Sequence, residues 1–330
     1  MSLKNKWKAL VLLVAVLALG VVGVGCGSSD SDGSGDQPKV TLELALQSGC
    51  AFCLAIQHGA EDAAEANNVD LTVQSPPKPE VDSQVEQLQS VAATKPDVLI
   101  LEPFDANALV APVKQIVDGG AQAIMVDTDI SDTSLRMSLV TSDNTVGGKA
   151  AGKALGEAVG SKGEVLYVGY TPGATAVDER QQGFDDTLEA DFPNVSQATP
   201  VYAIDDAAAV ATKVSATLES IPDLAGIFAS TEAAAIGSVN ALKSAGKDGD
   251  IPVVAYDGAP DEVQALKQGT ISTLIVQKAY DMGKISVEQA ADYVENGTKP
   301  DPEVTKTGIV VATKDNIDDP EVSKFLYPAK

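Results

Sequence analysis

The sequence has few aromatic residues, one histidine and a shortage of positive charge. Aromatic residues make up 4% of the 330 residues, and the only tryptophan, Trp7, lies close to the N-terminus. The 23 Lys and Arg residues stand against 47 Asp and Glu residues, which gives a formal net charge of −24. Such a chain repels a phosphate backbone, so nucleic-acid binding is excluded. Most of the acids are interpreted as solvated surface.

Motifs that carry catalysis are also lacking. The one histidine, His58, falls off the apolar face of its predicted helix, so no Ser-His-Asp or Cys-His arrangement is available. There is no P-loop, and the glycine-rich GVVGVGCG lies near the N-terminus and does not follow a strand. We therefore expect a protein that is not an enzyme, that uses no cofactor and that holds no metal ion.

Residues 1–25 have the features of a targeting segment. Three lysines (Lys4, Lys6 and Lys8) precede an apolar run from Ala9 to Val24, which ends at Gly25-Cys26. Because this segment contains no acid, its removal takes the net charge from −24 to −27. It resembles a bacterial lipoprotein leader, with Cys26 as the lipidated first residue, although Gly23 stands where leucine is usual. A single uncleaved membrane anchor is the alternative.

The residues that follow predict a tether and then a globular part outside the cytoplasmic membrane. Residues 26–37 are rich in Gly, Ser and Asp and cannot bury a core. Beyond them, short apolar strands alternate with helices whose apolar residues lie three or four apart, which predicts parallel sheets. The first predicted helix should bury Phe52, Ile56, Ala60 and Ala63. The second should bury Val81, Val85, Leu88 and Ala92. The predicted strands are Val40–Leu46, Leu71–Gln74, Val98–Leu101, Ala123–Val126, Glu164–Val168, Gly226–Ala229, Val253–Tyr256 and Ile271–Val276.

Polar residues just after these strands are candidates for a ligand site, because ligands of open α/β sheets bind beyond the carboxyl ends of the strands. They come from both halves of the chain. They are Ser48, Cys50, Asp127, Thr128, Asp129, Ser230, Thr231, Glu232, Tyr256, Asp257 and Gln277.

Several segments resemble the ribose/galactose-type periplasmic solute-binding proteins of sugar ABC importers. They are TSDNTVGGKAAG (141–152), DERQQGFDD (178–186), GIFASTEAAAIGSVNALKSAGK (226–247), VVAYDGAP (253–260) and LIVQKAYDMG (274–283). The resemblance implies two Rossmann-like lobes joined by a three-strand hinge, with ligand bound between them. The N-terminal lobe would comprise residues 38–144 and 278–307, and the C-terminal lobe residues 145–277 and 308–330. The resemblance also implies that the protein is a monomer. Its partners would be a small polar ligand and an ABC importer.

The resemblance also assigns ligand contacts. Phe52, Cys53 and Tyr256 fall where the family has aromatic residues, and Asp127, Thr231, Asp257 and Gln277 fall on positions that bind hydroxyl groups. Two family arginines are replaced, by Thr128 and Asp178, whereas Arg180 matches a neighbouring arginine. Each replaced arginine would have donated paired hydrogen bonds from its guanidinium group. Their absence argues against ribose as the ligand. A donor-rich polyol, an amino sugar, another cation or an autoinducer-2-like compound is expected instead.

Structural interpretations of the same residues remain open. Asp127 and Asp257 could cap the helices that follow them, and the same holds for Asp105 and Asp129. Thr231 could serve only a turn, Gln277 only the hinge and Phe52 only the core.

Cys50 and Cys53 lie three residues apart and outside the cytoplasm, where a local disulfide or two partly buried thiols are the alternatives. We favour the disulfide. A ligand-sensing domain of a repressor and a hydrolase are the competing functional classes; the export leader argues against the first, and the lack of a nucleophile and base against the second.

Overall fold

The computed structural model describes residues 37–44, 50–78, 80–204 and 206–328. The predicted leader, the lipidation site Cys26 and the strand-end residue Ser48 lie outside these residues. No helix in the described part of the chain is long and apolar enough to cross a bilayer.

Short runs of β-branched and apolar residues form the strands, as their composition predicts. In chain order the strands are β1 (Lys39–Glu43), β2 (Asp70–Gln74), β3 (Val98–Leu101), β4 (Gln122–Val126), β5 (Ser138–Thr141), β6 (Gly163–Gly169), β7 (Val195–Gln197), β8 (Val201–Tyr202), β9 (Gly226–Ala229), β10 (Val253–Tyr256), β11 (Thr273–Gln277), β12 (Val304–Lys306) and β13 (Ile309–Ala312). Every predicted strand overlaps one of these. Strands β5, β7, β8, β12 and β13 have no predicted counterpart.

Helices separate most of the strands. They are α1 (Ala51–Ala66), α2 (Val81–Thr94), α3 (Val110–Asp118), α4 (Asn144–Ala158), α5 (Thr175–Asp191), α6 (Ala207–Ser220), α7 (Glu232–Ala245), α8 (Pro260–Gln268), α9 (Ala279–Asn296) and α10 (Pro320–Ser323). The predicted apolar face of α1 is buried in full. In α2 the predicted Leu88 is buried and Val85 and Ala92 are partly buried, but Gln84 and Val91 are buried as well. The Gln84 side chain turns inward to donate to the backbone. His58 is exposed, as its position off the apolar face predicts.

The first sheet has the strand order β12-β5-β4-β3-β1-β2, and all of its pairs are parallel. Alternate residues of β3 point to opposite faces. Val98 and Ile100 pack with α1, whereas Leu99 and Leu101 pack with α2 and α3. Helix α9 packs against α1, so it completes this half of the molecule although it comes late in the chain.

The second sheet has the order β13-β11-β10-β9-β6-β7, and β8 pairs with β6. Tyr256 of β10 packs in the cluster that holds α4 and α5, and Ala255 on the opposite face packs with α7 and α8. Strand β13 runs antiparallel to β11, which departs from the expected all-parallel sheet. The two sheets with flanking helices are the two-lobed α/β architecture that the sequence predicts.

The chain passes between the sheets at three places. It leaves β5 for α4, leaves β11 for α9, and leaves β12 for β13. The three segments lie side by side. Ser142 Oγ donates to Gln277 Oε1 at 2.9 Å, and the Thr307 amide donates to the Thr141 carbonyl at 2.9 Å. Lys306 Nζ lies 3.1 Å from Asp143 Oδ1.

Helices α4 and α5 cross in close backbone contact because glycines stand at the crossing. A Cβ atom on Gly148 would lie 2.0 Å from the carbonyl oxygen of Arg180. A Cβ atom on Gly183 would lie 2.3 Å from the carbonyl oxygen of Thr145. The glycines of the GGKAAG and GF segments therefore fix the position of the helix turn that carries Arg180.

Candidate functional site

A cavity of about 320 Å³ lies between the two sheets, at the carboxyl ends of their strands. Small-molecule pockets have volumes of roughly 300–1,000 Å³, so this one suits a small solute. Its walls combine apolar side chains with a set of polar ones from both lobes. Of the predicted contact residues it brings together Phe52, Cys53, Asp127, Thr128, Arg180, Thr231, Asp257 and Gln277.

Asp127 enters the cavity from the first sheet, directly after β4. Its backbone is held at φ 63°, and the Thr141 hydroxyl donates to its carbonyl oxygen at 2.6 Å. Thr128 Oγ1 donates to Asp127 Oδ2 at 3.2 Å. The other carboxylate oxygen, Oδ1, is buried and accepts no hydrogen bond from the described residues. Burial raises the pKa of Asp127, the charge of Arg180 opposes this rise, and the charge of Asp257 adds to it.

Arg180 is almost wholly buried on α5 and connects several parts of the site. Its Nε donates to Asn144 Oδ1, one Nη to the Ser230 carbonyl oxygen and the other Nη to Gln277 Oε1, each at 2.9 Å. One of its faces lies 4.0 Å from the centroid of the Tyr256 ring. Burial lowers the pKa of Arg180, but Tyr256, Asp127 and Asp257 raise it, and the net shift is upward. The guanidinium therefore stays charged.

Asp257 enters from the second sheet, directly after β10, at φ 94°. Its Oδ1 accepts from Gln277 Nε2 at 2.7 Å and from the Tyr327 hydroxyl at 2.8 Å. Its Oδ2 accepts from the backbone N–H of Glu232 at 3.1 Å, at the start of α7. Asp257 thus caps α7 and not the helix that follows it in sequence. Three donors and a helix N-terminus hold this carboxylate in place.

Thr231 is the N-cap of α7, with Oγ1 accepting from the Ala234 amide at 3.2 Å. It also lines the cavity. The turn interpretation and the ligand interpretation of this residue are therefore compatible.

The N-terminus of α1 forms another part of the wall. Cys50 is its N-cap, and a disulfide joins Cys50 to Cys53. Phe52 lines the cavity beside this turn and lies 5.8 Å, centroid to centroid, from the Tyr327 ring. The Ala51 amide donates to Glu232 Oε2 at 3.3 Å, which links the first helix of one lobe to α7 of the other.

Residues that sequence reasoning did not assign as contacts complete the cavity. Glu102 and Phe104 follow β3, and the rule of strand ends that found Asp127 also applies to them. Buried Gln84 fixes their loop, since its amide donates to the Glu102 carbonyl and accepts from the Phe104 amide, both at 2.8 Å. Glu232, noted only as a polar residue after a strand, also lines the cavity. Tyr327 of the C-terminal tail does not line the cavity but donates to Asp257, and no sequence signal pointed to it.

Two predicted contact residues do not line the cavity. Tyr256 is fully buried beneath Arg180, so its ring cannot stack on a ligand. Asp178 is exposed on the first turn of α5, where its Oδ2 accepts from the Gly173 amide at 2.9 Å. We do not retain either as a ligand contact.

Two other aspartates have structural roles. Asp105 accepts from the amides of Asn107 and Ala108, as expected of a cap. Asp129 does not cap a helix but accepts from Arg136 Nε at 2.7 Å. Within the described parts of the chain, no group of three or more His, Cys, Asp or Glu side chains is arranged to hold a metal ion.

Two parallel-sheet lobes with a polar cavity at their strand ends define a solute-binding architecture. The chain belongs to the periplasmic binding protein family, because residues 46–299 match the model of the periplasmic binding protein domain. A ribose import binding protein of Salmonella typhimurium is 30% identical over 251 residues, which is 75% of this chain and 82% of that protein.

Solved structures of solute-binding proteins are also similar to this chain. An ABC transporter solute-binding protein of Agrobacterium vitis, bound with α-D-tagatopyranose, is 33% identical with a TM-score of 0.84, covering 88% of this chain and 99% of that one. A second protein of this organism, with bound D-fucose, is 29% identical with a TM-score of 0.81, covering 87% of this chain and 99% of that one. These relatives are binding proteins.

Proposed function

We propose that this protein captures a small sugar or polyol between its two lobes, outside the cytoplasmic membrane, and delivers it to an ABC importer. The observation that carries the proposal is the cavity itself. Carboxylate, guanidinium, amide and hydroxyl groups from both sheets converge on a space of about 320 Å³. Hydroxyl-rich solutes need such a mixture of donors and acceptors, and the similarity to proteins with bound tagatose and fucose supports the same class of ligand.

The proposed ligand contacts are Phe52, Cys53, Asp127, Thr128, Arg180, Thr231, Asp257 and Gln277. The two aspartates accept hydrogen bonds from ligand hydroxyl groups, because charged acceptors make the stronger bonds. Phe52 packs against the C–H face of the sugar. Arg180 and Gln277 connect these contacts to the hinge, so filling the cavity stabilises the arrangement in which the lobes meet.

A panel of sugars tests this function. Thermal unfolding of the full chain is measured with D-ribose, D-tagatose, D-fucose, D-arabinose, D-allose and polyols, and mass spectrometry identifies any solute that survives purification. We expect at least one compound to raise the unfolding temperature. Each active compound is recovered unchanged after incubation, because no hydrolase activity is expected. A panel without any shift, together with no retained solute, contradicts the proposal.

We also propose that Cys26 is lipidated, that residues 26–37 tether a monomer, and that the lobes have the predicted boundaries at 144, 277 and 307. Membrane fractionation of cells tests the anchor. The unaltered chain is expected in the membrane fraction and Cys26→Ser in the soluble extracytoplasmic fraction. Equal membrane retention of the two proteins contradicts lipidation and supports an uncleaved anchor.

A further inference from the structure

We propose that the ligand carries a protonated amine, and that Asp127 binds this amine with the charge of Asp257 in support. The inference rests on the proposed function and narrows the class of solute to amino sugars and amino polyols.

The charge of the cavity is the first observation. Five carboxylates line it, on Glu102, Asp127, Glu232, Asp257 and Asp261, and Arg180 is the only cation among the described lining residues. Glu102 and Glu232 make further contacts within the protein. Asp261 is exposed, but Asp127 and Asp257 together still exceed the single guanidinium. A neutral sugar in this space would leave that excess of negative charge in a site from which it displaces water.

The second observation is that all three nitrogen atoms of Arg180 already donate hydrogen bonds within the protein. Its three nitrogen atoms donate to Asn144, Ser230 and Gln277, and its face lies on Tyr256. The nearest approach of the guanidinium to Asp127 Oδ1 is 3.7 Å, beyond hydrogen-bond distance. Arg180 therefore offsets part of the charge of Asp127 without satisfying its oxygen.

The third observation is that Asp127 Oδ1 has no hydrogen-bond donor among the described residues. This atom is buried and accepts no hydrogen bond from the described residues, although the residue that carries it lines the cavity. A buried acceptor without a donor is unfavourable. A ligand N–H or O–H that reaches this oxygen removes that cost, so the site is built to receive a donor.

The choice between a hydroxyl and an ammonium donor follows from the neighbouring charge. The charge of Asp257 lies close enough to Asp127 to raise the pKa of Asp127. A hydroxyl group donates one bond and leaves this repulsion unchanged. An ammonium group donates a charge-assisted bond, and its positive charge offsets both carboxylates. Thr128, which follows Asp127 in the cavity wall, is uncharged, so the ligand supplies this charge.

Matched compounds distinguish an ammonium donor on the ligand from a hydroxyl donor. Calorimetry on the full chain near pH 7 compares 2-amino-2-deoxy-D-glucose, 2-amino-2-deoxy-D-galactose, 6-amino-6-deoxy-D-glucose and 1-amino-1-deoxy-D-glucitol with their hydroxyl parents and N-acetyl derivatives. We expect at least one amine to bind about tenfold tighter than its parent, the difference between charged and neutral hydrogen bonds. N-acetylation should remove the gain.

The outcomes distinguish the preference for an amine from the proposed sugar-binding function on which it rests. If neutral sugars bind and no amine exceeds its parent, the inference is overturned and the sugar-binding function stands. If an amine binds where its parent does not, both are supported. If no compound of either kind binds, both are overturned.

A variant and its control locate the effect. Asp127→Asn keeps the shape but removes the charge, and the ratio of amine to hydroxyl affinity is expected to fall about tenfold. Asp118→Asn, on an exposed ion pair of α3, should leave the ratio unchanged. An equal loss for amine and parent in Asp127→Asn overturns the assignment. Should that variant fail to fold, the unaltered protein decides: the preference must disappear when alkaline pH deprotonates the amine.

Discussion

Asp257 is the residue of the cavity wall on which three hydrogen bonds of the second lobe converge. Gln277 and Tyr327 donate to one of its oxygens, and the amide of Glu232 donates to the other. Gln277 in turn accepts from Arg180 of the same lobe and from Ser142 at the crossing from β5 to α4, so the carboxylate is connected to the hinge. Removing it leaves several buried donors without an acceptor.

We predict that Asp257→Ala abolishes the sugar-induced rise in unfolding temperature and lowers the free energy of unfolding by about 1–3 kcal/mol, because those donors lose their partner. Denaturant unfolding and calorimetry measure the two effects. Asp250→Ala, at an exposed position, should change neither. Unchanged affinity in Asp257→Ala would show that this carboxylate does not contact the ligand.

Glu43 is a second buried acid, at the end of β1 in the first sheet. It is inaccessible to solvent, and burial raises its pKa to about 8. The folded protein therefore binds a proton that the unfolded chain, with its ordinary glutamate pKa of about 4.3, releases. Between these two values the stability contributed by protonated Glu43 is lost as the pH rises.

We predict that Glu43→Gln gains stability relative to the unaltered protein as the pH increases from about 5 to about 9, since an amide does not ionise. Free energies of unfolding across this range measure the difference between the two proteins. A difference that is independent of pH would mean that Glu43 does not titrate in this window.

Single residues divide clearly into those that sequence reasoning can find and those that it cannot. Asp127, Asp257 and Gln277 end apolar strands, and strand ends of one sheet meet at one edge, so local sequence is sufficient. Tyr256 is misassigned because the same rule does not say which way the last strand residue points; alternation turns it under Arg180. Tyr327 is missed because its contact with Asp257 spans 70 residues of chain.

At the scale of elements, the crossing of α4 and α5 holds the site together. Gly148 allows the backbone of α4 to approach the carbonyl oxygen of Arg180, and Asn144 at the start of the same helix accepts from the Arg180 side chain. The separation of two helices therefore sets the position of the only guanidinium in the described cavity wall.

We predict that Gly148→Ala lowers the free energy of unfolding by about 1–3 kcal/mol, the cost of overpacking, although alanine is the better helix former. Sugar affinity should fall as well, because α5 must move. Lys149→Ala, on the exposed side of the same helix, is expected to stay within about 0.5 kcal/mol. Equal stability of the two variants would contradict close contact between α4 and α5.

Elements are predictable where their patterns are strong. β3, β9 and β10 are fully buried apolar runs, and their predicted bounds match. β13 is only partly buried and pairs antiparallel with β11, so neither its composition nor the βαβ rule reveals it. β5 follows β4 without an α-helix between them, which conceals it from the same rule.

At the scale of the molecule, the lobes touch on both sides of the cavity. The Ala51 amide reaches Glu232 at one side, and the Asp129 amide donates to Thr175 Oγ1 at 3.1 Å at the other. Neither contact involves the crossing segments, so both depend on how the lobes are oriented.

We predict that a binding sugar reduces the radius of gyration in small-angle scattering, because ligand contacts on both lobes favour the arrangement in which they meet. At a ligand concentration of about 100 times Kd the folded state gains about 2.7 kcal/mol. A saturating sugar that stabilises the protein without altering the scattering curve would argue against hinge closure.

The three crossings also govern when the protein can fold during its synthesis. The first sheet lacks its edge strand β12 until residues 304–306 have been made, and the second lacks β13 until residues 309–312. Contiguous domains fold one after another as they leave the ribosome. Here neither sheet is complete until the last tenth of the chain has been made, so neither lobe can finish folding before the other.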